Sequence, residues 1–132
     1  GTFTLPLAHE VQSVAAVESA GSSVRDLRRN LERNRLHADV IGGDAARELS
    51  ELGAPDKIVV DPPRSGLGDK AIKGLCESGA RAIAYVSCNP TTLARDLLQL
   101  QAGGYRVERV TPVDMFPQTY HVETVAILTK SA

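Results

Sequence analysis

Short apolar runs alternate with helical patterns from one end of the chain to the other. The runs have the length and composition of buried strands and cover residues 13–18, 38–44, 57–61, 82–87, 105–113 and 122–130. Between the first five runs, apolar residues recur at helical spacing, as at Val24, Leu27 and Leu31. This pattern predicts an α/β fold: a mostly parallel, Rossmann-like sheet with helices on both faces, which ends in a hairpin-like pair of strands.

The start of the chain departs from this pattern. Residues 1–8 predict a turn that enters a helix, with no strand before it. A doubly wound α/β domain ordinarily opens with a strand and a glycine-rich turn. We therefore expect residues 1–132 to form a single, truncated domain without its first strand. That strand would be central, so the runs at 13–18 and 57–61 should each expose an unpaired edge.

Composition narrows the classes of function. The chain has 132 residues, of which 42% are hydrophobic and 23% charged, as in one soluble globular domain. No apolar run approaches the length of a membrane span. A net charge of −1 and 4% aromatic residues give neither a global basic field nor many platforms for stacking bases. Two cysteines, Cys76 and Cys88, are too few for a disulfide framework or a zinc site, which favours reduced thiols in the cytoplasm and no metal.

Three acids stand at the predicted carboxyl edge of the sheet, where open α/β folds place their ligands. Glu18 and Asp61 end strands, and Asp44 follows the second strand. An acid in the position of Glu18 commonly accepts hydrogen bonds from ribose hydroxyls, but it equally suits a solvated surface acid. Asp44 also suits the cap of the following helix.

The stretch DPPRSG, at residues 61–66, predicts a stiff loop. Its two prolines fix an extended backbone, and Gly66 permits a tight return. Such a loop is suited to holding Asp61 and Arg64 against a planar ligand. The alternative is a strand that simply ends in an exposed turn.

The thiol of Cys88 is placed immediately before the start of a helix, with Asn89 as the predicted cap and Pro90 in the first turn. Unpaired N–H groups and the helix dipole favour negative charge there, and therefore the reactive thiolate. A small buried strand residue is the alternative. Cys76 lies in the middle of a predicted helix on its apolar face and is interpreted as a core residue.

A second acid with a possible chemical role is Glu123, which falls among the strand residues Val122, Val125 and Ile127. Loss of hydration there would suit a general base, whereas an edge-strand acid facing water is the alternative. His121 has no sequence partner at metal-ligand spacing and is interpreted as structural.

Three long stretches together resemble motifs of the 5-methyluridine RNA methyltransferases. They are DPPRSG at 61–66, VSCNPTTLARDL at 86–97 and DMFPQTYHVE at 114–123. These enzymes use S-adenosylmethionine and act on uridines of tRNA and ribosomal RNA. Residues 1–8 and 16–18 resemble the family's cofactor-binding segments, so the resemblance covers essentially the whole chain. RNA 5-methylcytosine enzymes usually carry a cysteine within the loop that is Pro62-Pro63-Arg64 here. Enzymes that methylate amino groups typically have an aromatic residue in place of Arg64.

The resemblance implies transfer of a methyl group from S-adenosylmethionine to carbon 5 of a uridine, through a covalent cysteine adduct. The resemblance implies that Cys88 is the nucleophile and Glu123 the base. It further implies that Arg64 and Asn89 contact the substrate. The implied cofactor contacts are Thr2, Glu18, Asp44 and Asp61. RNA would bind mostly through regions outside this chain. We expect the isolated chain to be impaired in activity and able to form a homodimer through its exposed sheet edges. The alternative is a binding module of the same fold without turnover, and a small-molecule methyltransferase fits less well.

Overall fold

A computed structural model describes residues 4, 7, 15–18, 21–48, 55–113 and 123–131. The chain divides into two compact units, Gly1–Leu52 and Gly53–Ala132. Each unit has its own sheet, and each is described separately below. The expectation of a single domain stays a prediction.

The first unit contains a parallel pair of strands. Its elements are β1 (Ala15–Glu18), α1 (Gly21–Arg33), β2 (Asp39–Gly42) and α2 (Ala45–Glu48). The register of β1 and β2 runs from Ala15 opposite Asp39 to Glu18 opposite Gly42. The buried side chains of α1 are those of Val24, Leu27 and Leu31, which confirms the helical spacing in the sequence. Among the first fourteen residues the structure describes Thr4 and Leu7, and both are helical.

The second unit contains a four-stranded mixed sheet. Its elements are β3 (Lys57–Val60), α3 (Asp69–Glu77), β4 (Ala82–Ser87), α4 (Pro90–Ala102), β5 (Tyr105–Val113) and β6 (Glu123–Lys130). The strand order is β3-β4-β6-β5; β3 and β4 are parallel, and β6 is antiparallel to both neighbours. The expected pair of terminal strands is confirmed. Strand β6 returns along β5 and inserts between β5 and β4, so it alone among the described strands of this sheet runs against the others.

Strands β1 and β3 are among the four strands, with β2 and β5, that have one edge without a partner in the part of the chain that the structure describes. There β1 pairs only with β2, and β3 pairs only with β4. These are the two strands for which unpaired edges were expected.

Alternate residues of the central strands build the core of the second unit. Ile83 and Tyr85 of β4 are fully buried, and so are their register partners Leu128 and Ala126 of β6. Leu75 of α3 and Leu100 of α4 are also fully buried. The core therefore fixes the ends of β3, β4 and β6, from which the candidate site is built.

Individual residues set the start of α3 and the buried face of α4. Asp69 belongs to a residue type that often caps helices, but it is the first helical residue of α3, and Gly68 occupies the cap without a side-chain hydrogen bond. Leu98 of α4 is 68% exposed, whereas Leu100 is buried. The apolar stripe of α4 therefore passes through Leu93 and Leu100 rather than through Leu98.

Candidate active site

Cys88 lies in a short turn that side-chain hydrogen bonds close on both sides. The buried Ser87 hydroxyl accepts a hydrogen bond from the Asn89 amide (3.0 Å) and donates one to the Asn89 carbonyl (2.9 Å). Asn89 then caps α4, because its Oδ1 accepts from the Thr91 amide at 3.0 Å and Pro90 is the first helical residue. The predicted cap is confirmed. The half-buried thiol is therefore fixed at the N-terminus of a 13-residue helix.

The loop that follows β3 is attached to this turn. Asn89 Nδ2 and Thr92 Oγ1 both donate to the carbonyl oxygen of Arg64, at 3.1 and 3.0 Å. The Gly66 amide donates to the Pro63 carbonyl at 2.8 Å, which closes a tight turn around Arg64. The loop is thus held against the start of α4, while Arg64 itself remains exposed.

Asp61 begins this loop at the carboxyl end of β3. The preceding residue, Val60, pairs with Tyr85 in the parallel ladder, so β3 and β4 end at the same edge of the sheet. Partial burial raises the pKa of the Asp61 carboxyl above its usual value. Asp61 therefore shares a sheet edge with the turn that carries Cys88.

Glu123 enters the same edge from the opposite direction. It is the first residue of β6, is half-buried, and pairs with Val113 of β5. On the other side of β6, Thr124 pairs with Ser87 in the antiparallel ladder. The paired register ends there: Cys88 directly follows Ser87, and Glu123 directly precedes Thr124. A thiol and a carboxylate are thus carried at the same end of the β4–β6 ladder.

In the first unit, two of the predicted cofactor residues share the carboxyl edge of the parallel pair. Glu18 is the last residue of β1, and Asp44 follows the end of β2 by two residues. The Asp44 carbonyl accepts hydrogen bonds from the Arg47 and Glu48 amides at 3.1 and 2.9 Å, so Asp44 stands at the start of α2. Thr2, a predicted cofactor contact, and His121 lie outside the described residues.

A buried polar cluster beside the loop was missed in the sequence. Asp96 of α4 is completely buried and accepts a hydrogen bond from the Tyr85 hydroxyl at 2.6 Å. Burial and this hydrogen bond raise the pKa of Tyr85 well above its usual value, so its hydroxyl keeps its proton. The sequence did carry a signal, because Leu93, Asp96 and Leu100 share the i, i+3, i+7 spacing of one buried helix face.

Comparison with known proteins identifies the family. The family model of the tRNA (uracil-5-)-methyltransferases matches residues 48–131. The chain belongs to this family. The resemblance noted in the sequence is thereby confirmed, as is the class of fold.

Relatives from several organisms share this sequence along nearly all of its length. An uncharacterised RNA methyltransferase of Enterococcus faecalis is 42% identical over 136 residues, covering 99% of this chain and 30% of its own length. One from Gloeobacter violaceus is 43% identical, covering 99% of this chain and 29% of its own. The chain thus spans under a third of the length of these relatives.

Solved structures agree in fold. The crystal structure of Pyrococcus abyssi tRNA (uracil-54, C5)-methyltransferase, in complex with S-adenosyl-L-homocysteine, is 40% identical with a TM-score of 0.88. The match covers 98% of this chain and 32% of that one. Magnesium protoporphyrin IX methyltransferase from Synechocystis, at 12% identity and a TM-score of 0.78, shares the fold alone.

Proposed function

We propose that the protein to which this chain belongs transfers a methyl group from S-adenosylmethionine to carbon 5 of a uridine in tRNA or ribosomal RNA. The observation that carries the proposal is the end of the β4–β6 ladder, where Cys88 directly follows Ser87 and Glu123 directly precedes Thr124. A thiol and a carboxylate at the same end of two paired strands suit a reaction that needs a nucleophile and then a base.

Cys88 would act as the nucleophile. Its thiolate adds to carbon 6 of the uracil, and the electron pair of the carbon 5–carbon 6 double bond moves towards the carbon 4 carbonyl. Carbon 5 thereby becomes an enolate-like nucleophile. The helix N-terminus behind Cys88, capped by Asn89, supports the negative charge of the attacking sulfur.

Glu123 would act as the base. When bound, S-adenosylmethionine supplies an electrophilic methyl group to carbon 5, which then carries both a methyl group and a proton. Glu123 removes that proton, the double bond re-forms, and the bond to the Cys88 sulfur breaks. The thiolate is regenerated, so neither an oxidant nor a reductant is consumed.

The acids at strand ends fit the methyl donor. In the first unit, Glu18 and Asp44 stand together at the carboxyl edge of β1 and β2. In the second unit, Asp61 directly follows β3. Carboxylates at these positions suit the ribose hydroxyls and the amino groups of an adenosine-linked amino acid. Asp61 and Arg64 lie on the loop that contacts the start of α4, so with Asn89 they would lie near the target base.

The solvent face of α1 supports RNA as the partner. Residues 21–36 carry a net charge of +3, although the whole chain carries −1, because they contain five arginines and two acids. The arginines are Arg25, Arg28, Arg29, Arg33 and Arg35. All five are exposed. Arg25, Arg29 and Arg33 follow one another at four-residue spacing, and none forms an ion pair with another described residue. Such a stripe suits phosphate oxygens.

Charge reversal on this stripe should weaken RNA binding in the natural protein that carries the chain. For Arg29→Glu combined with Arg33→Glu, we expect RNA affinity to fall about 10- to 100-fold and the salt dependence of binding to weaken by about two phosphate contacts. The matched control is Lys70→Glu with Lys73→Glu on α3, which changes the charge equally. Filter binding at several salt concentrations measures both effects. Equal losses in the two variants would contradict a specific role for α1.

The proposed chemistry is tested by trapping the covalent intermediate. In RNA that carries 5-fluorouridine, fluorine replaces the carbon 5 proton, so the base cannot release the Cys88 sulfur after methyl transfer. We expect the natural protein, given S-adenosylmethionine, to form an RNA complex that survives denaturing electrophoresis. Failure to form a complex with either tRNA or ribosomal RNA transcripts would overturn the covalent mechanism.

Association and location stay predictions. Homodimer formation through the unpaired edges of β1 and β3 and a cytoplasmic location are expectations from the sequence. Within the described ranges, none of the helices is long and apolar enough to cross a membrane.

A further inference from the structure

The buried carboxylate of Asp96 has no part in the chemistry proposed above, yet its hydrogen bonds link the loop after β3 to β4 and α4. A buried charge is costly unless hydrogen bonds and an opposite charge compensate it. Asp96 Oδ2 accepts from the Tyr85 hydroxyl at 2.6 Å and from the Leu67 amide at 2.8 Å. Its Oδ1 accepts from Nε and a terminal nitrogen of Arg95, at 3.2 and 3.1 Å. The side chain thus joins β4, α4 and the loop after β3.

Arg95 extends the attachment along the same loop. The terminal nitrogen that contacts Asp96 also donates to the carbonyl oxygens of Ser65 (2.7 Å) and Leu67 (3.3 Å). These two residues flank Gly66, so the Arg95–Asp96 pair holds three backbone groups of one tight turn. This terminal nitrogen has two N–H groups for three oxygens, so at least two of the oxygens share one hydrogen.

Gly66 shows how closely the loop approaches the pair. Its φ of +79° lies in the left-handed region that favours glycine. A Cβ placed there would lie 2.6 Å from Asp96 Oδ2 and 2.7 Å from the Arg95 guanidinium. Both the backbone conformation and the contact therefore require glycine, and the fit is specific to this arrangement.

Helix α4 holds the loop at two places, one at its N-terminus and one about a turn further along. At the start, Asn89 and Thr92 bind the Arg64 carbonyl beside Cys88. About one turn further on, Arg95 and Asp96 bind residues 65–67. The loop that contains Asp61 and Arg64 is therefore attached to α4, the helix that begins directly after Cys88 and Asn89.

We propose that Arg95 and Asp96 are positioning residues that lock the 61–67 loop onto α4 and so fix Asp61 and Arg64 relative to Cys88. The catalytic purpose of this lock rests on the proposed function. Neither side chain needs to touch the uracil, since Asp96 is buried and acts through the loop backbone. A purely stabilising role would change the melting temperature without selectively affecting turnover or the exchange of the loop amides.

Arg95→Ala is the main test, because Arg95 is half-exposed and the substitution directly removes the hydrogen bonds to the Ser65 and Leu67 carbonyl oxygens. In the natural protein we expect kcat for RNA methylation to fall about 10- to 100-fold with little change in KM, since small misplacements of reacting groups have effects of this size. Exchange of the Leu67 amide with deuterium should accelerate about tenfold or more. Arg95→Lys should restore part of both losses, because an ammonium makes fewer of the same bonds. Asp96→Asn should reproduce both effects if it folds.

Arg81→Ala is the matched control: Arg81 is an exposed arginine of the same unit whose partner is Asp56. It should leave kcat and Leu67 exchange unchanged. Unchanged exchange in Arg95→Ala overturns the lock, and faster exchange with unchanged kcat overturns its role in positioning. If the wild-type protein forms no 5-fluorouridine adduct, both the proposed function and the catalytic purpose of the lock are overturned. The lock itself is tested separately, because amide exchange is measured without RNA.

Discussion

Replacing Cys88 with alanine should abolish both the trapped RNA complex and methyl transfer in the natural protein. The β4–β6 ladder ends at Ser87 and Thr124, next to Cys88 and Glu123, whereas Cys76 lies on α3. Without the sulfur, carbon 5 of uracil is not activated, so we expect turnover to fall by at least about 10⁴-fold. Transfer of tritium from labelled S-adenosylmethionine to RNA measures the loss. Cys88→Ser should be nearly as inactive, because a hydroxyl is far less ionised than a thiol at neutral pH.

Cys76→Ala provides the control for this prediction. Cys76 is on α3, and burial and the neighbouring Glu77 carboxylate raise the pKa of its thiol, so it stays neutral at pH 7. Its sulfur packs against Gly103 at the end of α4, where an added Cβ would clash with it. We expect Cys76→Ala to retain trapping and turnover within about twofold. Loss of the trapped complex in Cys76→Ala but not in Cys88→Ala would overturn the assignment of the nucleophile.

The local chemistry around Cys88 could be predicted from the sequence because it depends on neighbouring residues. Asn89 and Pro90 specify the start of α4 through one cap and one fixed φ angle, and both act within a few residues. The apolar spacing of α1 is local in the same sense. Helix boundaries are often uncertain by one residue, and the cap of α3 is Gly68 rather than Asp69, although aspartate is the commoner cap.

The relation between Cys88 and Glu123 could not be predicted from spacing alone. It arises because β6 inserts between β4 and β5, and this choice of partner depends on side chains distant in sequence. Asp96 was missed for a related reason. Its spacing places it on the buried face of α4, but the groups that make a buried carboxylate tolerable come from Leu67 and Tyr85, 29 and 11 residues away.

The net charge of the chain does not show how its charges are distributed. The sum of −1 averages over the arginines of α1 and the acids elsewhere. A helical pattern separates them, because Val24, Leu27 and Leu31 turn one face inward and leave the arginines on the other. Charge considered per helix face is therefore more informative than charge considered per chain.

Glu123→Gln should separate methyl transfer from release of the product. Glutamine has nearly the same size and can keep the half-buried place at the start of β6, but it cannot accept the carbon 5 proton. We expect Cys88 to add to ordinary, unfluorinated RNA and the methyl group to be transferred, after which the adduct persists. Steady-state turnover should fall about 10²- to 10⁴-fold, the usual contribution of a general base.

Denaturing electrophoresis of Glu123→Gln with unmodified RNA and labelled S-adenosylmethionine should therefore show a labelled protein–RNA complex that the wild-type protein does not accumulate. Adding Cys88→Ala should remove the complex, because the link to RNA is the cysteine sulfur. Glu108→Gln on the neighbouring strand β5 is the matched control. Glu108 forms hydrogen bonds with Arg106 and Thr129 and lies towards the opposite end of β5 from Val113, the residue that pairs with Glu123. This substitution should leave turnover unchanged. Turnover at the wild-type rate in Glu123→Gln would assign the base to another residue. Slow turnover without an accumulated complex would place Glu123 before the covalent step, because a base needed only for release must leave the methylated adduct behind.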